Sequence, residues 1–344
     1  MKSNYITWLI HTVESMKCLQ NAPITDVDKS HERINQLTND LFDVQKWAIF
    51  REDLYMHIDE NGYTTNSSFW KLLNQELKKV AKLQSYLLEK TRTADSFYNY
   101  AEVYDEIIGK PCFDEFMGNY MSFFLAKYAI DFSNATLLSV GCGTGIMELY
   151  MQENLGINPE KLLGIDISEA MIKVASERIN AEIGNVLTLE PRVKKWDSIF
   201  CGLNVLQYVN HKYLEDAIQK IAQVLHLGGY FFGDFITSDH IRCYPNVIFS
   251  QKTISLRTPK LVEKNNFMYQ QSEIINVRCS TNQMIISYEG VHERFLPPLN
   301  RMRGYFKNAF GGKVDIYDAV NLKPISENED TCASTRYLIC AQKA

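Results

Sequence analysis

Apolar positions recur at helical spacing through residues 1–95. Trp8, Ile10, Val13 and Met16 form one such series, and Ile34, Leu37, Leu41, Val44 and Trp47 a second. Leu72, Leu73, Leu77, Val80, Leu83 and Leu87 form a third. Spacings of three and four place one apolar stripe on each predicted helix. Asn21–Asp28 with Pro23, Asn61-Gly62 and Thr91–Ser96 interrupt the pattern. No glycine-rich phosphate loop or catalytic-triad pattern falls in this stretch. The expectation is a helical N-terminal extension over 1–95 that buries its stripes on the main domain or on a second subunit.

From residue 98 the texture changes to short apolar runs alternating with amphipathic helices, the pattern of βαβ units around a parallel sheet. Strands are predicted at Thr136–Gly141, Leu162–Ile167, Asp197–Leu203 and Tyr230–Ile236, with a weaker one around Glu182–Leu187. Ser168 suits a helix N-cap ahead of Met171, Val174, Ala175 and Ile179. Tyr213–Leu225 reads as a helix ended by Gly228-Gly229. Lys313–Tyr317 and Arg336–Ala341 supply the last two strands, and Leu299–Phe310 is a helix closed by Gly311-Gly312. The alternation is lost over 237–300, where only Met284–His292 has strand character. A segment this long inside an α/β domain is usually functional, so it is expected to form a lid over a substrate. The predicted architecture is therefore α/β: a Rossmann-like, seven-stranded, mostly parallel sheet over 96–344 with an antiparallel last strand. The helical extension and the inserted lid add to it.

Composition narrows the function. Hydrophobic residues at 46% and charged ones at 22% are ordinary for a globular chain, and 19 Tyr and 18 Phe suit an apolar pocket. A net charge of −5 without basic runs argues against nucleic acid as partner. No apolar run approaches the length of a membrane span, and Tyr5–Ile10 is too short for a secretory leader. Eight cysteines without a CxxC pair read as reduced thiols in a cytoplasmic protein, with no metal site.

The densest constellation is Leu137-Leu138-Ser139-Val140-Gly141-Cys142-Gly143-Thr144-Gly145, a strand running into spaced glycines and a helix. Glycines there permit a sharp turn and let the backbone approach a ligand. Asp166 ends the next strand, 21 residues after Gly145, where a carboxylate holds ribose hydroxyls. The loop is GxGxG. It lacks the GxGxxG of nicotinamide sites, because Ile146 stands where the third glycine would be, and no Gly-Lys-Ser/Thr of a phosphate loop follows.

With VGCGTG, GIDIS, WDSIFCGLNVLQYV and LGGYFFGDF in this order, the chain resembles the class I S-adenosylmethionine-dependent methyltransferases over roughly 98–235 and again at the last two strands. The resemblance implies S-adenosylmethionine as cofactor. Gly141, Gly143 and Gly145 would flank its methionine part, with Ser139 and Cys142 beside them. Asp166, next to Ile167, would hold the ribose diol. Asn185 with Val186 would meet the adenine, and Leu203 would line the methyl side. Ser139 departs from the family's frequent Asp or Glu, and Asn185 from its frequent Asp. Tyr104, in the cluster Ser96–Asp105, resembles the segment that covers the cofactor in small-molecule members. A tyrosine face suits a sulfonium, although the same tyrosines could simply pack a short helix.

Methyl transfer needs alignment, exclusion of water and, for some acceptors, a base. His211, His240 and His292 are the candidates, and Arg301 and Arg303 could meet an acidic acceptor. The expected acceptor is a small molecule or a carrier-tethered biosynthetic intermediate, with O, N and C all open as the methylated atom. A homodimer through the N-terminal helices is the other expected partnership. The alternative is a protein that binds the cofactor without methylating: a cofactor-supported cyclase or a non-catalytic subunit.

Overall fold

The computed structural model describes residues 44–61, 68–87, 95, 97–98, 100–109, 112–191, 195–280, 283–329 and 334–344. The helices expected before residue 44, the breaks at Asn21–Asp28 and Gly62, and most of that at Thr91–Ser96 lie outside the described residues.

Contacts divide the chain into two compact units. The larger comprises Ala94–Tyr244, Pro259–Ser272 and His292–Ala344. Its sheet is built from β1 (Leu137–Val140), β2 (Leu162–Asp166), β3 (Ala181–Ile183), β4 (Trp196–Cys201), β5 (Leu225–Ile236), β10 (Gly311–Asp318) and β11 (Arg336–Lys343), in the order β10-β11-β5-β4-β1-β2-β3. The pairs from β5 through β3 are parallel, and β11 runs antiparallel to both β5 and β10. The expected seven-stranded, mostly parallel sheet with its antiparallel last strand is thus observed. All four β1 residues are buried, because both faces of the sheet are covered.

On one face, the helix α7 (Leu214–Gln223) and the helix α8 (Leu299–Phe310) bury Leu214, Ile218, Ile221, Met302, Phe306 and Phe310. On the other, the helix α4 (Gly118–Tyr128) and the helix α5 (Ile146–Asn154) bury Tyr120, Met121, Phe124, Met147 and Met151. The helix α6 (Glu169–Ala175) starts as expected at Ser168, whose hydroxyl accepts the Met171 N–H at 3.2 Å.

Three boundaries differ from expectation. α7 ends at Gln223, and Gly228-Gly229 lie within β5. They do not cap the helix: β4 and β5 shift register between Trp196↔Leu225 and Ser198↔Tyr230, and Gly228 takes up the extra residues at φ 80°. β4 stops at Cys201, because Leu203 and Asn204 turn left-handed at φ 51° and 56°. β3 stops at Ile183, and Val186–Thr188 is a single 3₁₀ turn.

The smaller unit spans Met1–Thr93, Pro245–Thr258 and Glu273–Val291. Among its described residues are the helices α1 (Val44–Asn61) and α2 (Ser68–Leu87). The segment 237–300 is mostly a four-stranded sheet, β6 (Val247–Phe249), β7 (Thr253–Lys264), β8 (Phe267–Cys279) and β9 (Met284–Phe295) in that order. Within the smaller unit Trp47, Phe50 and Leu54 of α1 and Trp70, Leu73, Leu77 and Val80 of α2 share a core with Ile254, Leu256, Ile275, Val277, Met284 and Ile286. Helices from the start of the chain and strands from its second half therefore complete one another. Deleting residues 1–87 is expected to bare that row of strand side chains and give insoluble protein on expression. A soluble fragment with unchanged thermal unfolding would contradict it.

Candidate active site

Parallel sheets place their ligands at the carboxyl ends of their strands. There β1 runs into Gly141, whose N–H, like that of Cys142, donates to the Ile165 carbonyl at 2.7 and 3.0 Å. Gly141 sits at φ +73°, and a Cβ on it would lie 2.4 Å from Val205 Cγ1, so the position admits glycine alone. At Gly143, φ +56°, an added Cβ would meet only the Tyr104 ring, at 3.8 Å. The Gly143 N–H donates to Asp166 Oδ2 at 3.0 Å and the Ser168 N–H to Oδ1 at 2.9 Å. Burial pushes the Asp166 carboxyl up, and these two donors act against that shift.

The helix α3 (Tyr104–Ile108) is fastened to this loop by Asp105. Asp105 accepts the Thr144 hydroxyl and pairs with Arg178 Nη1 at 2.6 Å, which also reaches the Thr144 carbonyl at 3.1 Å. The structure thus brings together Tyr104, Gly141, Cys142, Gly143, Gly145 and Asp166. Cys142 is buried, and Gly145 caps α5 with its N–H on the Cys142 carbonyl at 3.0 Å. Ile167, beside Asp166, is exposed.

Ser139 is buried in β1 and donates to Glu148 of α5. A carboxylate thus stands behind the serine that replaces the family's frequent acid. Desolvation pushes Glu148 from the ordinary 4.5 up to about 7. Because the folded state holds this proton more tightly, stability is lost as pH rises from about 4.5 through 7. Glu148→Gln should therefore raise the unfolding free energy at pH 8 by ~1–3 kcal/mol and change it little at pH 4.5. Urea titrations at the two pH values measure this, and equal shifts at both would be the wrong sign of dependence.

Gly184 and Asn185 follow β3, with the Gly184 N–H on the Asp166 carbonyl at 2.9 Å. The Asn185 side chain accepts the Leu187 N–H at 3.0 Å, and Val186 is buried in the core. Leu203, after β4, donates its N–H to Asp234 Oδ1 at 2.6 Å.

The three histidines part company. His292 of β9 is buried among aromatic rings: Phe97 at 4.9 Å, Tyr100 at 5.7 Å and Tyr208 at 6.4 Å between centroids. Tyr100 in turn meets Tyr104 at 5.5 Å, so a chain of rings joins His292 to the glycine loop. His240 follows β5 in a 3₁₀ turn, with Nδ1 3.4 Å from Gln270 Oε1 and Nε2 3.4 Å from Arg336 Nη2. Burial, then Arg336 and Arg294, push it down to about 3, so its ring is neutral at pH 7. His211 instead packs on Phe267 at 4.5 Å, with Nδ1 2.5 Å from the Tyr269 hydroxyl.

Sequence reading overlooked the polar group formed by Asp234 and Arg336. Their ion pair is largely buried, and Asp234 also holds the Tyr120 hydroxyl at 3.1 Å. Each lies in a strand that reads as plain core, so only their pairing across β5 and β11 reveals them. Arg303 is engaged within the fold. It is buried and donates to the carbonyls of Ser326, Glu327 and Glu329, because α8 packs on the sheet and that arginine holds the loop before β11. Arg301 lies over the Phe267 ring, 5.1 Å from its centroid.

Residues 137–229 match the family model described as methyltransferase domain. Solved structures of similar fold include an S-adenosylmethionine-dependent methyltransferase from Clostridium acetobutylicum, 15% identical, TM-score 0.57, covering 72% of this chain and 99% of that one. The CcbJ methyltransferase from Streptomyces caelestis is 14% identical, with TM-score 0.54 and coverage of 73% and 97%. CalS10 from Micromonospora echinaspora, an amino pentose methyltransferase solved with S-adenosylmethionine bound, is 15% identical, with TM-score 0.51 and coverage of 74% and 100%. No curated protein matches the chain in sequence.

The sheet order and the glycine loop agree with the resemblance to class I methyltransferases, and residues 137–229 match the methyltransferase domain model. S-adenosylmethionine is the methyl donor of that class. The residues present fit it: a glycine turn where Gly143 meets only the Tyr104 ring, and a carboxylate at the end of β2. Among the described residues no helix is long and apolar enough to cross a membrane, and no cluster of metal-ligating side chains occurs.

Proposed function

We propose that this enzyme methylates a small-molecule or carrier-tethered biosynthetic intermediate, with His292 positioning or deprotonating the acceptor. The observation that carries the reading is the run of aromatic rings from His292 through Tyr100 to Tyr104, which abuts the glycine loop. S-adenosylmethionine supplies an electrophilic methyl carbon on sulfur. Gly141, Cys142, Gly143 and Gly145, with Ser139 behind them, give the backbone surface for its methionine part. Asp166 accepts from the ribose hydroxyls, with Ile167 beside it. Asn185 and Val186 flank the adenine, and Leu203 and Tyr104 bound the methyl side.

The chain's own part would be to align the acceptor with that carbon and to keep water out. A proton released from an O–H or N–H acceptor would pass to His292. The apolar rings around that histidine exclude water, which strengthens its local electrostatic interactions. His240, neutral and weakly basic, suits a hydrogen-bonding role. His211 is proposed to act through the Tyr269 hydroxyl or not at all, since aromatic side chains enclose it. A small acceptor is also what the CalS10 neighbour exemplifies.

Calorimetry with S-adenosylhomocysteine tests the cofactor site. Asp166→Ala is expected to weaken binding by ~1–3 kcal/mol, the cost of stranding hydrogen-bonding groups. Unchanged affinity would remove Asp166 from the ribose. Detection of a methylated product separates this reading from a non-methylating cyclase or partner subunit.

A further inference from the structure

The larger unit contains buried polar atoms that the methyl-donor site does not use. The Leu296 N–H donates to the Met268 carbonyl at 2.9 Å, and Gln271 Nε2 reaches Glu293 Oε2 at 2.5 Å. Both fix one antiparallel register between β8 and β9. Continued along the strands, it sets Gln270 opposite Arg294 and Ser272 opposite His292. Alternation then puts all four side chains on the same face, while Glu293 turns away to Lys264.

That face is rich in unused donors. Arg294 Nε and Nη1, Gln270 Nε2 and Ser272 Oγ are all shielded from water and have no hydrogen-bond partner among the described residues. Gln270 and Ser272 are fully buried. Among the described residues no carboxylate pairs with Arg294. Its guanidinium lies 5.0 Å from the Tyr208 ring and 5.5 Å from the Tyr244 ring. Burial works against its charge, but the two tyrosines outweigh that effect and hold it protonated. His240, against Gln270, is neutral and so adds no competing charge. A half-buried guanidinium with no carboxylate partner among the described residues, beside unmet amide and hydroxyl donors, favours an anionic ligand. Tyr208 connects this cluster to His292, the proposed site of the acceptor.

We propose that Arg294, with Gln270 and Ser272, binds an oxyanion carried by the methyl acceptor, a carboxylate or phosphate on an apolar or aromatic body. The assignment rests on the methyl-transfer reading and names the acceptor's chemical class. Arginine would grip the oxyanion through charge-assisted hydrogen bonds, and the tyrosine rings would cover the adjoining apolar part.

The test is calorimetry on the full-length protein, first with S-adenosylhomocysteine alone, then with benzoate, phenyl phosphate or neutral benzamide added to the loaded protein. One of the two anions should bind at least about ten-fold more tightly than benzamide, and which one identifies the oxyanion. Arg294→Met should abolish that preference while S-adenosylhomocysteine affinity stays within about two-fold. Gln270→Leu, which keeps the cation, should weaken the anion about three- to ten-fold and guards against a folding defect in the first variant. Equal binding of all three probes, or an anion preference that survives Arg294→Met, overturns the oxyanion site and leaves methyl transfer standing. Failure of S-adenosylhomocysteine to bind overturns methyl transfer itself, and the acceptor assignment with it.

Discussion

His292→Ala is expected to lower turnover by ~10²–10⁴-fold, while S-adenosylhomocysteine affinity stays within about two-fold. The separation follows from position. His292 meets Phe97, Tyr100 and Tyr208, and only through Tyr100 and Tyr104 does it approach the glycine loop. Its loss should therefore spare the donor and strike the acceptor. His240 makes the informative contrast, because a group pushed down to about 3 is a weak base at neutral pH. His240→Ala should reduce turnover far less, and its effect should fall on KM. His211→Ala should cost mainly stability, through its packing on Phe267 and Phe295. Since His292 is itself buried, packing loss has to be separated from chemistry. His292→Gln keeps a polar side chain of similar reach; a base role predicts that it stays as slow as the alanine variant and that the acidic limb of the kcat profile disappears. Full turnover in both variants would place the chemistry in alignment alone or in a tyrosine.

The glycine turn and the carboxylate beside it were legible because each is set locally. A glycine turn, a strand and an acid one strand later are each set by a few consecutive residues, and the register Val140↔Ile165 then brings Gly143 to Asp166. What escaped was long-range. The strands β7 and β8 are joined by Asn265-Asn266, both left-handed at φ 52° and 63°. This two-residue turn is a known hairpin signal, but the strands beside it are polar enough to look irregular. The shared core of α1 and α2 with Ile254, Ile275 and Met284 links residues some 200 positions apart, and no periodicity within either segment announces it. The role proposed for Arg294 depends on Gln270 lying across a strand pair, which no local pattern announces. Gly228-Gly229 misled for a different reason: glycines end helices often, and here they serve a register shift in β5.

Asp234→Ala should cost ~3–5 kcal/mol of stability, the scale for removing one partner of a buried ion pair. The Asp234 side chain has no exposure and that of Arg336 only 15%, so the stranded guanidinium would find little water. Three further contacts depend on the same carboxylate neighbourhood. The Leu203 N–H and the Tyr120 hydroxyl both donate to Asp234 Oδ1, and Arg336 Nη1 also stands 3.4 Å from Asn204 Oδ1. Leu203 and Asn204 are left-handed residues without glycine's freedom, so this anchor offsets their strain. Losing it should loosen the turn after β4 and weaken S-adenosylhomocysteine binding as well as folding. Asp234→Asn keeps an acceptor oxygen and should lose less of both. The double variant Asp234→Leu with Arg336→Met removes both charges, and should recover stability relative to Asp234→Ala. It should not recover cofactor affinity, because nothing then accepts the Leu203 N–H. Urea denaturation and calorimetry on the three variants measure the two quantities separately. If affinity returned along with stability in the double variant, the pair would be a folding element only, with no part in shaping the donor site.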